Sequence, residues 1–373
     1  MTLKQTLMKI CFLLSPVKSI ILESSPDYSD NSRAVFDELI KRGINKKYRV
    51  VWLCYDKEPE KCPKIKNVFA INEIGIKRRW YNLIAKAIIS CNRFQVSTRE
   101  DCFSMYLDHG HPFKHAAKYQ KAPPELSCYL SSSVQTVSAR KDIFGFSEKT
   151  EIVSLGFPRN DVFSEKPTDL NPVFHTSGAK FIAWYPTFRN HKDKNRNEGG
   201  DPIPIIHDED KAIQLNEAAK ELNVFFVVKP HPIQDIQRIK DFSLSNILFI
   251  DDEFLHDNNI ISYRFLNACD ALLSDYSSVF IDFLLADKPI GLIWEDIEQY
   301  KQDLGLVDNY QFLSSGCEKI YTIDDLISFT KDVAEGKDEL ADERRKVRDY
   351  SHYSTDGKNA ERVADYIIKT IFD

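Results

Sequence analysis

The sequence predicts an α/β protein of two domains, each built on a parallel sheet covered by helices. Three observations carry this prediction. Apolar runs of strand length alternate with helix-length segments, and the alternation occurs twice over. The strand runs are almost continuously apolar, Val224-Phe-Phe-Val-Val228 most strongly, as strands buried on both faces should be. A Pro/Asp/Asn-rich stretch from Lys166 to Pro172 divides the two series, and 373 residues are enough for two domains of ordinary size. The expected boundaries are 1–167 for an N-terminal, acceptor-binding domain and 178–350 for a C-terminal, donor-binding one. Residues 351–373 then form a last helix able to cross back to the first domain.

The elements follow in order. Leu3 to Leu14 reads as an amphipathic first helix. Its apolar core is too short for a signal peptide, and no small-residue cleavage site follows. Ser19 to Glu23 and Tyr48 to Tyr55 are strands, with a helix from Asn31 to Lys41 between them, closed by Gly43. Ala87 to Cys91, Met105 to Leu107 and Ser127 to Leu130 are strands, followed by a helix from Ser133 to Phe144 and a strand from Glu151 to Ser154. The second series has strands at Lys180–Tyr185, Val224–Val228, Ile247–Ile250, Ala271–Leu273 and Pro289–Trp294, with a helix at Glu209–Leu222. A helix from about Ser278 to Leu285 follows the Ala271 strand, and Asp356 to Ile371 is the last helix.

Composition narrows the function classes. Hydrophobic residues make up 43% and charged residues 28%, which is globular rather than disordered. The net charge of −6 argues against a nucleic-acid partner. Basic runs nevertheless gather in the first 200 residues (Lys77-Arg78-Arg79, Lys114 to Lys121, Arg189 to Arg196). Such a half suits an anionic membrane surface or a polyanionic acceptor. The eight cysteines form no CxxC pair, so zinc is not indicated. Cys11, Cys54 and Cys269 lie in apolar runs and read as buried thiols of a reducing compartment. No apolar run is long enough to span a bilayer.

Six polar turns at strand ends or helix starts stand out. In Asp270-Ala-Leu-Leu-Ser-Asp275-Tyr-Ser277-Ser278, a strand runs through a Ser-rich turn into a helix, where free N–H groups favour an anion. The plainer reading is a βα loop with a Ser N-cap. His231 follows the strongest strand in Lys229-Pro-His-Pro232; it is either a solvated loop residue or a donor to a phosphate or leaving group. His109 sits in Asp108-His-Gly-His-Pro-Phe-Lys114, with an adjacent Asp that could orient or charge the imidazole. A metal reading of His109, His111 and His115 converges poorly in a Gly-Pro turn. Gly156-Phe-Pro-Arg159-Asn160-Asp161 offers Arg159 as a phosphate clamp or as a partner for Asp161. Tyr185-Pro-Thr187-Phe-Arg189 leads into a basic loop. His352 to Arg362 opens the last helix, where backbone N–H groups with Lys358 and Arg362 suit an anion.

Together these segments resemble the CDP-glycerol glycerophosphotransferase family of teichoic acid and capsule synthesis. The resemblance runs from Tyr28-Ser-Asp-Asn31 to Arg362. It rests on His109-Gly-x-Pro-x-Lys114, Gly156-x-Pro-Arg-Asn-Asp161, Tyr185-Pro-Thr-Phe-Arg189, Lys229-Pro-His-Pro232, Asp275-Tyr-Ser-Ser278 with Asp287-Lys-Pro289, and Asp356-Gly357 with Arg362. It implies a GT-B-like fold, two Rossmann-like domains facing across a cleft, with the CDP-linked donor held mainly by the C-terminal one. His109 would take the proton from an acceptor hydroxyl, and His231 would serve as the second catalytic residue. Ser277, Ser278, Asp275, Arg362, Lys229, Thr187 and Arg189 would bind donor phosphate or nucleotide. Asp108, His111, Lys114, Arg159, Asn160 and Asp356 would line the rest of the cleft. No metal or other cofactor is expected.

The implied reaction moves a polyol phosphate, glycerol phosphate first, from CDP-glycerol or another CDP-polyol to a lipid-linked or polyol-phosphate glycan acceptor. CMP is released. The implied location is cytoplasmic, peripheral on the inner face of the bacterial membrane. Two positions depart from the family pattern: Asp108 stands where Trp or Gln is frequent, and His111 where Thr is frequent. Other readings are a GT-B glycosyltransferase using a nucleotide sugar, a sugar-nucleotide epimerase, and a non-catalytic partner in a polymer-assembly complex.

Overall fold

The computed structural model describes the whole chain except residues 1–2, 56–60, 98, 115–120, 188–202, 231–233, 235, 237–238, 240, 304 and 373. It divides into two compact units. The first comprises Met1–His109, Ala117–Asp161 and His352–Asp373, and the second Gly110–Ala116 and Val162–Ser351.

The first unit is a seven-stranded parallel sheet. Its strands are β1 (Ser19–Glu23), β2 (Arg49–Cys54), β3 (Val68–Asn72), β4 (Ala85–Ser90), β5 (Phe103–Tyr106), β6 (Cys128–Ser131) and β7 (Glu151–Ser154), in the order β3-β2-β1-β4-β5-β6-β7. Every residue of β1 is buried. Ile20 and Leu22 pack on one face with Val35, Trp52 and Ile89, while Ile21 packs on the other with Val51 and Ile88. That two-sided burial explains the uninterrupted apolar run. The last helix of the chain, Asn359–Phe372, lies in this unit, and its Val363, Ala364, Ile367 and Ile371 join the Ile20 core. Their i, i+1, i+4, i+8 spacing is one helix face.

The second unit repeats the plan with six parallel strands: β8 (Lys180–Tyr185), β9 (Val224–Val228), β10 (Ile247–Phe249), β11 (Ala271–Ser274), β12 (Ile290–Ile293) and β13 (Glu318–Ile320). Their order is β10-β9-β8-β11-β12-β13. In each sheet the order reverses beside the first strand, between β1 and β4 and between β8 and β11. In an open α/β sheet a ligand sits outside the carboxyl ends of the strands at such a reversal. The residues after β1 and β4, and after β8 and β11, are therefore the first places to look for chemistry.

Most strands match their expected positions within two residues. The short strands β3 and β13 were not anticipated. Nor were the helices Ile76–Leu83, Ile323–Glu335 and Ala341–Ser351. The helix expected from Ser133 begins only at Val137, because Ser131 to Thr136 form a hydroxyl-bonded turn instead: the buried Ser131 hydroxyl bonds the Ser133 carbonyl and the Thr136 hydroxyl. The helix expected at Ser278–Leu285 is shorter, Val279–Phe283, and tightens into a 3-10 turn at Leu284–Ala286. The last helix starts at Asn359, since Gly357 is left-handed (φ 67°) and breaks continuity with Asp356. All eight cysteines are free thiols; Cys54 and Cys269 are buried as expected, but Cys11 lies exposed. Among the described residues no helix is long and apolar enough to cross a membrane.

Candidate active site

In the first unit the chain leaves β5 through Leu107, Asp108 and His109. Asp108 takes a left-handed backbone (φ 56°), a conformation Asp tolerates better than most residues. Its carboxylate stabilises the turn by accepting the His109 amide at 2.7 Å, the Tyr129 hydroxyl at 2.5 Å and an Arg140 guanidinium N–H at 3.1 Å. Asn31 holds the turn from the other side, donating to the Asp108 carbonyl at 2.9 Å. Asp108 is thus committed to the backbone and to Arg140. It stands 3.7 Å from the His109 ring nitrogen, beyond hydrogen-bond reach, so it does not orient the imidazole directly.

The ring is oriented by a carbonyl. Nδ1 of His109 lies 3.0 Å from the backbone oxygen of Cys91, the first residue after β4. A carbonyl has no proton to give, so Nδ1 carries one and donates it. In the neutral ring Nε2 is then the basic nitrogen. The Tyr106 hydroxyl, 3.4 Å from Nδ1, lies on the same side. The side chain is 41% exposed.

The second unit offers a different chemistry. At its strand-order reversal, Asp275 after β11 accepts the backbone N–H of Thr187 at 2.8 Å and also its hydroxyl. Asp275 and Thr187 are both buried and tie the two loops together. Ser277 and Ser278 follow, half-buried. Ser278 precedes the short helix but makes no side-chain cap bond, and neither serine hydroxyl has a partner among the described residues. Gly110 packs against this turn, where a Cβ would stand 2.7 Å from the Ser278 hydroxyl oxygen. His111 is buried beside Asp282, with Nε2 3.2 Å from Oδ1, and Tyr263 donates to the other oxygen of Asp282 at 2.8 Å. Lys114 stands over the Tyr300 ring, its Nζ 5.4 Å from the centroid. Lys229 pairs with Asp252 at 2.9 Å.

The turn from Gly156 to Asp161 makes its contacts within the first unit. Arg159 pairs with Asp30 at 2.8 Å, not with Asp161, and its amide donates to Asn31. Asn160 is buried. Asp161 accepts the amides of Asn359 and Ala360, both at 2.8 Å, and so caps the last helix. Burial raises its carboxyl to about 6 despite those bonds. An internal carboxylate thus already fills the helix N-terminus where an outside anion was anticipated. Arg362 is paired within the first unit. Its guanidinium bonds both oxygens of Asp356 at 2.8 and 2.9 Å, as well as the Leu155 carbonyl and Asn359. Arg362 correspondingly holds the Asp356 carboxyl down at about 2. His231 and Arg189 lie outside the described residues, as does His115.

The structure therefore gathers Asp108 and His109 in the first unit, with Arg159, Asn160, Asp356 and Arg362 as that unit's scaffold. It gathers His111, Thr187, Asp275, Ser277 and Ser278 in the second. Asn31 and Asp282 were missed as partners, and Asp161 was anticipated as a partner for Arg159 rather than as the cap of the last helix. Asp282 had one readable signal, a lone carboxylate inside the apolar run Val279 to Leu285, where a charge needs a partner.

A family profile described as CDP-glycerol:poly(glycerophosphate) glycerophosphotransferase matches residues 7–369. The teichoic acid glycerol-phosphate primase of Bacillus subtilis (strain 168) is 28% identical over 201 residues, 53% of this chain and 48% of that protein. The teichoic acid ribitol-phosphate primase of Bacillus spizizenii (strain ATCC 23059 / NRRL B-14472 / W23) is 27% identical over 271 residues, 69% of this chain and 63% of that protein. The chain thus spans less than two thirds of the length of these curated relatives. The wall teichoic acid polymerase TagF is similar in fold, with a TM-score of 0.74 over 99% of this chain and 93% of the other at 20% identity, which supports the GT-B-like class. With a profile match over nearly its whole length, the chain belongs to the CDP-glycerol:poly(glycerophosphate) glycerophosphotransferase family.

Proposed function

We propose that this chain transfers glycerol phosphate from CDP-glycerol to a hydroxyl of a teichoic-acid-like acceptor and releases CMP. The observation that carries the reading is Nδ1 of the partly exposed His109 lying 3.0 Å from the Cys91 carbonyl oxygen, which calls for a proton on Nδ1 and leaves Nε2 as the basic nitrogen. Nε2 takes the acceptor's hydroxyl proton while that oxygen attacks the phosphorus bearing glycerol. The bond from this phosphorus to the bridging oxygen breaks, and CMP leaves with the electron pair. A phosphodiester and a protonated His109 result, and the proton passes to water. A base so placed contributes about 10²–10⁴-fold.

Ser277 and Ser278 supply the donor-phosphate contacts, since their hydroxyls lack partners among the described residues at the strand-order reversal. Donors aimed at the developing charge stabilise it. His231 keeps the role its motif implies, a donor to the departing phosphate. The test is CMP release from CDP-glycerol and CDP-ribitol, with and without a lipid-linked or polyol-phosphate acceptor. Acceptor-dependent release from CDP-glycerol supports the reading; silence with both donors overturns it.

A surface on the first unit supports a membrane location for the acceptor. Ile74 and Ile76 are 87% and 83% exposed, and Trp80 is exposed beside them. Lys77 and Arg79 are exposed on the same short helix. Ile76 and Trp80 line an apolar groove with Phe69 and Tyr81. Apolar and aromatic anchors ringed by cations suit an anionic bilayer surface. Peripheral docking on the inner face of the bacterial membrane is the corresponding location. Flotation with vesicles containing phosphatidylglycerol at low salt should carry the wild type but not the variant I74S/I76S/W80S. Equal flotation of the two would remove this surface from the assignment.

A further inference from the structure

A carboxylate stands behind the Cys91 carbonyl that holds His109. Glu23 ends β1 and is fully buried. Its Oε2 accepts three successive amides of the turn after β4, from Cys91 at 3.1 Å, Asn92 at 3.2 Å and Arg93 at 3.3 Å. Its Oε1 has no hydrogen-bond partner among the described residues. Burying a carboxylate with one oxygen unpaired is costly, and a neutral amide could serve the three N–H groups more cheaply. The charge therefore calls for a use beyond holding the turn.

The connection runs through one peptide unit. The amide of Asn92 and the carbonyl of Cys91 belong to the same peptide group. Oε2 of Glu23 accepts from its N–H, and its C=O accepts from Nδ1 of His109. A negative acceptor on the N–H end pushes electron density toward the oxygen, and bonds in such a chain strengthen one another. We infer that Glu23 is a positioning residue for His109, acting through the Cys91–Asn92 peptide to hold Nδ1–H, keep Nε2 basic and stabilise the imidazolium formed when Nε2 gains a proton. The inference rests on the reading of His109 as the base.

Burial pushes the Glu23 carboxyl up to about 7, so its charge changes in the working range. The titratable groups facing it are Arg93 and Cys91 on the turn after β4 and Tyr55 beyond β2. Protonation would weaken the amide contacts and loosen the Cys91 carbonyl's grip on the ring.

The experiment compares wild type with E23Q and E23D in the full chain. The first readout is kcat and KM for CMP release from CDP-glycerol with acceptor, between pH 5.5 and 8.5. E23Q should lose roughly 10-fold to 100-fold in kcat, the usual scale for an outer partner of an active histidine, with an unchanged KM for donor and an unchanged or raised Tm. Its kcat should also lose the rise near pH 7. E23D keeps the charge and should recover part of kcat. The second readout needs no turnover: the rate at which diethyl pyrocarbonate modifies His109, followed by peptide mass spectrometry. E23Q should slow this several-fold relative to His175 as internal control. Wild-type kcat, pH profile and modification rate in E23Q would overturn the inference while leaving His109 as base. If no CDP-polyol is turned over by wild type, the base reading fails and the modification rate alone decides whether Glu23 tunes His109.

Discussion

His111 and Asp282 meet as a buried pair, Nε2 3.2 Å from Oδ1, with the second oxygen of Asp282 taken by Tyr263. The pair lies inside the second unit and fastens the segment after Gly110 to the helix that follows Ser278. A Thr at position 111 could not reach in the same way, so the departure at this site is matched by a partner on the facing helix. Removing Asp282 takes away the carboxylate that both His111 and Tyr263 meet in the interior. Asp282→Ala is expected to cost about 3 kcal/mol and to lower Tm by several degrees, whereas Asp282→Asn, which keeps an acceptor, should cost less than half of that. Thermal unfolding of the two variants decides it; equal losses would show that the histidine contact carries no weight.

His109 makes the sharpest prediction for turnover. His109→Ala should lower kcat about 10²–10⁴-fold with Tm little changed, because the side chain is partly exposed and loses only its ring contacts to the Cys91 carbonyl and the Tyr106 hydroxyl. His109→Gln tests the role of Nε2 further, since an amide can fill the space but cannot take the proton. Wild-type turnover in either variant would remove His109 from the chemistry.

Gly110 and Ser278 give a prediction that separates binding from chemistry. A Cβ at Gly110 would stand 2.7 Å from the Ser278 hydroxyl, which must rotate to make room. The backbone of Gly110 is not left-handed, so Ala brings no further strain there. G110A should therefore fold normally and raise the KM for CDP-glycerol several-fold, by misdirecting one phosphate donor. An unchanged KM in both G110A and S278A would take this turn out of the donor site.

The sheets were legible because a strand buried on both faces has to be apolar throughout. Val224–Val228 and Lys180–Tyr185 were readable to the residue for that reason. β13 has three residues, two of them charged, and carries no such signal. The motifs were legible as motifs, but their division of labour was not. In Gly156 to Asp161 the sequence left Arg159 either as a phosphate clamp or as a partner of Asp161. Only the fold shows Asp161 capping a helix 198 residues later and Arg159 pairing with Asp30. Long-range partners leave no periodicity in the chain. Glu23 left a faint trace as the lone acid closing an apolar strand, but its link to His109 runs through a backbone peptide, which no side-chain pattern encodes.

Glu23 also sets a pH dependence of stability whose sign can be worked out. Its carboxyl ordinarily titrates near 4.5 and is raised by burial to about 7 in the fold, against the pull of the Arg93, Asn92 and Cys91 amides and the Arg93 charge. Between those values the native state holds a proton that the unfolded chain has already released. Raising the pH through that window therefore favours unfolding. The stabilising contribution is complete below about pH 4.5 and is lost as pH rises past 7, on the order of 3 kcal/mol in all. Urea titrations at pH 5, 6, 7 and 8 should show wild-type stability falling over this range and Glu23→Gln falling less, so that the variant is the more stable protein at pH 8. Parallel curves would mean that Glu23 does not titrate there. The ionised form that costs stability is the same form that draws density onto the Cys91 carbonyl. If both predictions hold, the variant gains stability in the pH range where it loses turnover, which is how a strained functional charge differs from a structural one.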